Sequence, residues 1–132
     1  MIGIDTSVVV RYLVGMPEAQ AARAAALVDE EGVDLGVSVV ALAECAHVLR
    51  TQYQVEQRDI VDALIDFVQR ENVRVVDAQP DLLVAMLLRA RSMPGGPIPD
   101  ALIFAAAAAA GSVPLATFDR DQQRYGIDVR AP

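Results

Sequence analysis

Apolar residues along this chain switch repeatedly between the spacing of a strand and that of a helix. Ile2 to Ile4 is a short apolar run ending at Asp5, and it predicts a buried strand. Thr6 and Ser7 then offer a helix N-cap, with Val8, Val9, Tyr12 and Leu13 continuing at helical spacing to Gly15. Pro17 opens a second helix, for which Gly32 is the stop. Asp34 to Val39 is short, valine-rich and β-like. Ser38 is placed to cap a third helix through Leu42, Cys45, Ala46 and Leu49. Between Glu56 and Arg70, Ile60, Leu64, Phe67 and Val68 share one face, and Asp59, Asp62, Asp66 and Arg70 lie largely outside it. Arg74 to Val76 is another strand, and Pro80 starts a helix through Leu83, Leu87 and Leu88. Ser92 to Pro99, with two glycines and three prolines, is the one clear loop. Asp100 to Gly111 is a helix apolar all round, expected at the centre of the fold. Val113 to Thr117 and Ile127 to Val129 close the pattern as strands.

Strands alternating with helices imply a parallel sheet covered on both faces, an α/β domain of three layers, α/β/α. At 132 residues the expected organisation is a single domain over 1–132, without repeat or linker. Hydrophobic residues make up 54% of the chain, which excludes global disorder. The longest apolar stretch, Ala101 to Ala110, is too short to cross a bilayer, so no membrane association is expected. Met1 to Asp5 lacks a basic segment followed by an apolar one, and a lone cysteine, Cys45, suits a reducing compartment. A cytoplasmic location is the expectation.

In open α/β sheets, ligands bind beyond the carboxyl ends of the strands. Asp5 directly follows the first strand, and Asp119 stands two residues past Leu115-Ala116-Thr117. Asp100 opens the apolar helix, and Glu44 lies near the start of the third helix, off the Leu42–Cys45–Leu49 stripe. Carboxylates set in apolar surroundings are costly to desolvate and repel one another. A hard divalent cation with oxygen ligands relieves both costs, and a sole histidine, His47, gives no basis for a zinc site. Each acid also has a structural role open to it. Asp5 and Asp100 are natural caps or first-turn acids, Glu44 is within reach of Arg50 or His47, and Asp119 and Asp121 are ordinary turn residues.

Four segments occur in the order expected of PIN domains: Asp5-Thr6-Ser7, Ser38 through Glu44, Asp100-Ala101-Leu102-Ile103, and Thr117-Phe118-Asp119-Arg120-Asp121. The chain resembles a VapC-type toxin of that nuclease family over essentially its whole length. The resemblance implies a PIN-like fold with a short, mainly parallel central sheet, in which Asp5, Glu44, Asp100 and Asp119 hold Mg²⁺ or Mn²⁺. Thr117 would support the site through its hydroxyl and Asp121 would be an auxiliary acid. Thr6 or Ser7 would orient Asp5 or the attacking water, and the sequence does not choose between them. The implied reaction is hydrolysis of RNA phosphodiester bonds, with a divalent ion activating water and offsetting phosphoryl charge. Asp100 or Asp119 is a candidate proton acceptor. The implied partners are an RNA substrate, a cognate antitoxin with a basic segment, and a second copy in a homodimer. Val8 to Val14 and Ile60 to Val68 are candidate walls for such contacts, against the alternative of core packing.

The chain departs from the pattern in three places. Pro97-Ile98-Pro99 stands where relatives often carry another acid, Gln122 replaces a common aromatic, and His47 takes the place of a helical aromatic. The lost acid keeps a second reading open, a catalytically weak PIN-like module that binds RNA or protein. Receiver domains and haloacid-dehalogenase-like phosphatases are disfavoured because all 11 basic residues are arginine and neither class manages without a lysine at its phosphoryl site. A flap-type DNA nuclease is disfavoured by the absence of a helical insertion. The net charge of −7 is awkward for a protein that binds a polyanion, and fits a basic protein partner. Arg11, Arg50, Arg89, Arg91, Arg120 and Arg124 are all capable of contacting phosphate. Arg120 is the first choice, because it flanks Asp119.

Overall fold

The computed structural model describes residues 1–119 and 126–132. Their order is β1 (Ile2–Gly3), α1 (Thr6–Val14), α2 (Glu18–Val28), β2 (Leu35–Val37), α3 (Val39–Tyr53), α4 (Gln57–Val68), β3 (Val73–Val75), α5 (Pro80–Ala90), α6 (Ile98–Ala109), β4 (Leu115–Ala116) and β5 (Val129–Arg130). The β1–β2 and β2–β3 crossovers each carry two helices, and the pairings among the described residues are parallel, as such connections require. The sheet runs β1-β2-β3, with Ile2 opposite Leu35 and Leu35 opposite Val73, and β4 pairs with β5 in a second ladder. The three-layer α/β/α arrangement expected from the alternation is present.

Local chemistry explains where the elements begin. Ser38 caps α3 by accepting the Ala41 N–H at 3.1 Å, which cuts the valine-rich strand off at Val37. Asp77, unnoticed in the sequence, accepts the Val39 N–H at 2.9 Å and satisfies a further donor of the same helix. The cap of α1 is Asp5, not Thr6 or Ser7. Helix α2 stops at Val28, ahead of Gly32, where Asp29 turns outward to meet Arg70 at 2.7 Å. Helix α6 starts at Ile98, inside the expected loop, because a proline is tolerated in a first turn whose N–H groups have no intrahelical acceptor. Asp100 is therefore a first-turn acid on α6 and does not cap it.

The core is shared by all three layers. Helix α4 buries Ile60, Val61, Leu64, Ile65, Phe67 and Val68, so its apolar stripe is internal and offers no wall to a partner. Helix α6 is less central than its composition implies. It buries Ile98, Ala101, Leu102, Phe104 and Ala105, but Ile103 is 52% exposed, and Ala109 and Ala110 at its end are exposed too. Alanine leaves little apolar area in water, so an apolar sequence did not require burial on every side.

Polar side chains pin the connections between elements. The Gln57 amide donates to Ala90 O at 2.6 Å and Met93 O at 2.8 Å, fastening the segment between α5 and α6. Arg91 forks onto both oxygens of Asp62 at 2.8 and 3.0 Å. Arg70 reaches Asp29 and donates to the Tyr12 hydroxyl at 3.1 Å, tying the ends of α2 and α4 to α1.

Cys45 is fully buried, and desolvation pushes its thiol up to about 12. Native protein at pH 8 is therefore expected to resist a thiol-reactive dye, and the same protein in urea to label fully. Rapid labelling without denaturant would contradict the packing described for α3. No helix among the described residues is long and apolar enough to cross a membrane.

Candidate active site

Parallel pairing sets the first acid in place. The Ile4 N–H donates to Gly36 O at 2.9 Å, carrying the ladder one residue past β1, and the buried Ile4 side chain anchors the strand end. Asp5 follows at the carboxyl edge in extended geometry (φ −100°, ψ −179°), where its side chain can turn back over the start of α1. Its Oδ1 accepts the Ser7 hydroxyl at 2.6 Å, the Ser7 N–H at 2.9 Å and the Val8 N–H at 3.3 Å. Among the described residues Oδ2 has no hydrogen-bond donor. The Ser7 hydroxyl above all, then the Val8 amide and, less, the Ser7 amide, hold the Asp5 carboxyl below its usual range against the opposing effect of burial. Asp5 is thus both the cap of α1 and a carboxylate kept ionised with one oxygen to spare.

Helix α3 supplies the second acid. Glu44 lies in its second turn with an exposed side chain, off the buried Leu42–Cys45–Leu49 stripe. The Thr6 hydroxyl donates to Glu44 Oε2 at 3.1 Å across the junction of α1 and α3. The adjacent hydroxyls therefore divide the work, Ser7 holding Asp5 and Thr6 holding Glu44. Both acids line an open pocket of about 330 Å³ together with Thr6, Ser7, Arg11 and Gln52.

The other expected residues are placed differently. Asp100 is half-buried in the first turn of α6, and Asp119 is exposed beyond the carboxyl end of β4. Thr117 accepts the Asp119 N–H at 3.0 Å through its hydroxyl, so it shapes the turn that presents this acid. Neither Asp100 nor Asp119 is among the walls of the Asp5–Glu44 pocket. Arg120 and Asp121 lie outside the described residues, as do Gln122 and Arg124. Among the described residues no group of three or more histidine, cysteine, aspartate or glutamate side chains is placed to hold a metal ion. The structure brings Asp5, Thr6, Ser7 and Glu44 together in the walls of one pocket.

The donors present are hard oxygens, two carboxylates and two hydroxyls. That set fits Mg²⁺, which usually keeps several waters and takes one or two carboxylates together with phosphate oxygens of a substrate. His47 lines a different cavity on the far side of α3, with Arg50 and Ile98, and stays out of the acidic pocket. Arg11 is the residue that sequence reading undervalued. Its spacing of four from Ser7 on one helix was the available signal, since it puts both on one face.

The PIN domain family model matches residues 2–128 of the chain. No curated protein matches it, and no solved structure does.

Proposed function

Because the chain belongs to the PIN domain family, whose members are generally nucleases, we propose that it is a Mg²⁺- or Mn²⁺-dependent endoribonuclease. The observation that carries this reading is the meeting of Asp5 and Glu44 in one pocket, each carboxylate oriented by its own hydroxyl. Asp5 and Glu44 would hold the ion, with Asp100 and Asp119 completing the set that the resemblance implies. A divalent ion bound there supplies Lewis acidity, making water easier to deprotonate and offsetting charge on phosphoryl oxygens. Ser7 holds Asp5 through Oδ1, and Thr6 holds Glu44 through Oε2. Thr117 sets the backbone from which Asp119 projects. Asp100 or Asp119 accepts the proton of the attacking water. With its carboxyl held below the usual range, Asp5 stays charged throughout the neutral region.

The same reading makes the protein the cytoplasmic toxin of a type II toxin–antitoxin pair. A chain of net charge −7 favours encounter with a basic antitoxin segment, and the groove between α1 and α2, lined by Val8 and Leu27, offers it apolar contacts. Helices α5 and α6 pack together and expose Leu88 and Ile103, which supports a homodimer contact there. A second reading, a PIN-like module that binds RNA or protein with little catalysis, is favoured by the absence of a larger ligand cluster among the described residues.

The test is cleavage of a panel of structured RNAs in Mg²⁺, Mn²⁺ or EDTA by wild type, Asp5→Asn and Asp100→Asn. Cleavage that needs the ion and is lost in both variants is expected. Equal activity in all three proteins would sink the assignment, and tight RNA binding without cleavage by wild type would favour the binding module.

A further inference from the structure

A chain of net charge −7 that acts on RNA needs a local cationic surface, because a polyanion is otherwise repelled. Most arginines with side-chain bonds are committed elsewhere in the fold. Arg70 is spent on Asp29 and Tyr12, Arg91 on Asp62, and Arg74 on the Glu71 carbonyl. Arg11 is different. It lines the Asp5–Glu44 pocket, yet among the described residues it forms no ion pair with either acid. Its Nε instead donates to the neutral Gln20 Oε1 at 2.7 Å. That bond holds the guanidinium from the α2 side, and among the described residues neither terminal nitrogen has an acceptor.

Arg11 also lines the adjoining groove between α1 and α2, where Arg23 is a second wall residue. Arg23 is exposed and has no ion-pair or hydrogen-bond partner among the described residues. The two grooves share Ser7 and Arg11, so they are continuous surfaces on either side of one arginine. A planar fork of donors held open beside two carboxylates suits a phosphate, which it can grip through two parallel hydrogen bonds.

We propose that Arg11, with Arg23 behind it, binds backbone phosphates of RNA entering the Asp5–Glu44 pocket along the α1–α2 groove. The proposal rests on the ribonuclease reading and names the path its substrate takes. Gln20 is the positioning residue, acting through Arg11. The groove that would receive an antitoxin is then also the groove that receives RNA, so the two compete for it.

The test is binding of a fluorescein-labelled single-stranded RNA 12-mer in EDTA, followed by anisotropy between about 0.05 and 0.3 M salt. Each phosphate contact on a single strand contributes a slope of about 0.7 in log K against log salt. Arg11→Gln should lower the slope by about 0.7 and weaken binding at 0.1 M salt by about fivefold, with Arg23→Gln acting in the same direction. Arg74→Gln, which removes the same charge away from the groove, should leave the slope unchanged. An unchanged slope in Arg11→Gln, or an equal loss in Arg74→Gln, would overturn the proposal. If Arg11→Gln does not fold, Arg23→Gln reads the same slope from an exposed site. Cleavage plays no part in this measurement. A protein that binds RNA through Arg11 but never cuts it refutes the nuclease reading alone, and one that cuts RNA with an indifferent Arg11 refutes only the proposed path.

Discussion

Asp5→Asn is expected to abolish RNA cleavage while leaving the thermal midpoint of the protein nearly unchanged. Asparagine caps a helix about as well as aspartate, so the bonds from Ser7 and Val8 that Oδ1 accepts survive the change. What disappears is the charge. Altering a residue that only orients a metal ligand already costs roughly 10- to 100-fold, so loss of a ligand's charge should cost at least about 100-fold in single-turnover rate. Asp5→Ala should show the same loss of activity and an added loss of about 1 kcal/mol in stability, because the cap goes with the ligand. Ser7→Ala is the intermediate case, expected to cost about tenfold in rate by freeing the Asp5 carboxylate.

The acid side of the stability profile carries a further mark of Asp5. Its folded-state pKa is lowered, so its stabilising contribution is complete above the unfolded value, near 3.9, and fades as pH falls through the folded value. Asp5→Asn should lack that part of the acid limb. Fluorescence-monitored melts between pH 2 and 6 compare the two. A cleavage rate in Asp5→Asn within a few-fold of wild type would remove Asp5 from the catalytic account.

Phe67→Ala should produce the largest loss of stability, about 3–5 kcal/mol. Phe67 is only 2% exposed and lies on α4, against the Tyr12 ring of α1 at 5.8 Å with planes inclined by 52°. Arg70 sits over the other partner, 5.7 Å from the Tyr12 ring centre, so the phenylalanine supports a stack joining α1, α4 and the end of α2. Truncation leaves a cavity in the core that its neighbours only partly close. For a chain of this size the thermal midpoint should fall by about 10 °C or more. The site should feel it too, because α1 carries Asp5 at its start and Arg11 further along. A midpoint shift of less than about 3 °C would mean that this stack does not hold α1 in place.

The sequence made the parallel α/β alternation legible because short valine- and isoleucine-containing runs alternate with longer segments of helical periodicity. Asp5 was legible for the same reason, since a carboxylate at the boundary of β1 and α1 has few places to go. The start of α6 was not, because Pro97-Ile98-Pro99 reads as a breaker unless one knows that Pro99 falls in the first turn. The division between Thr6 and Ser7 was hidden as well. Neighbouring hydroxyls point about 100° apart on a helix, and only the position of α3 decides that Thr6 meets Glu44. Arginine roles were the least legible. Arg70 and Asp29 are 41 residues apart and Arg91 and Asp62 are 29 apart, so which arginines remain open for a ligand is a tertiary fact. Asp5 and Asp119 were placed by the ends of strands, and Glu44 and Asp100 leaned on the family pattern; of the four, Asp5 and Glu44 line one pocket.

That pair is the centre of the account, and metal binding interrogates it without any knowledge of the RNA target. Free Mn²⁺ can be followed by its electron paramagnetic resonance signal as it is titrated into wild type, Asp5→Asn and Glu44→Gln. Saturable binding by wild type that is weakened at least about tenfold in each variant, with unchanged thermal midpoints, is the expected result. Equal Mn²⁺ binding by all three proteins would contradict it.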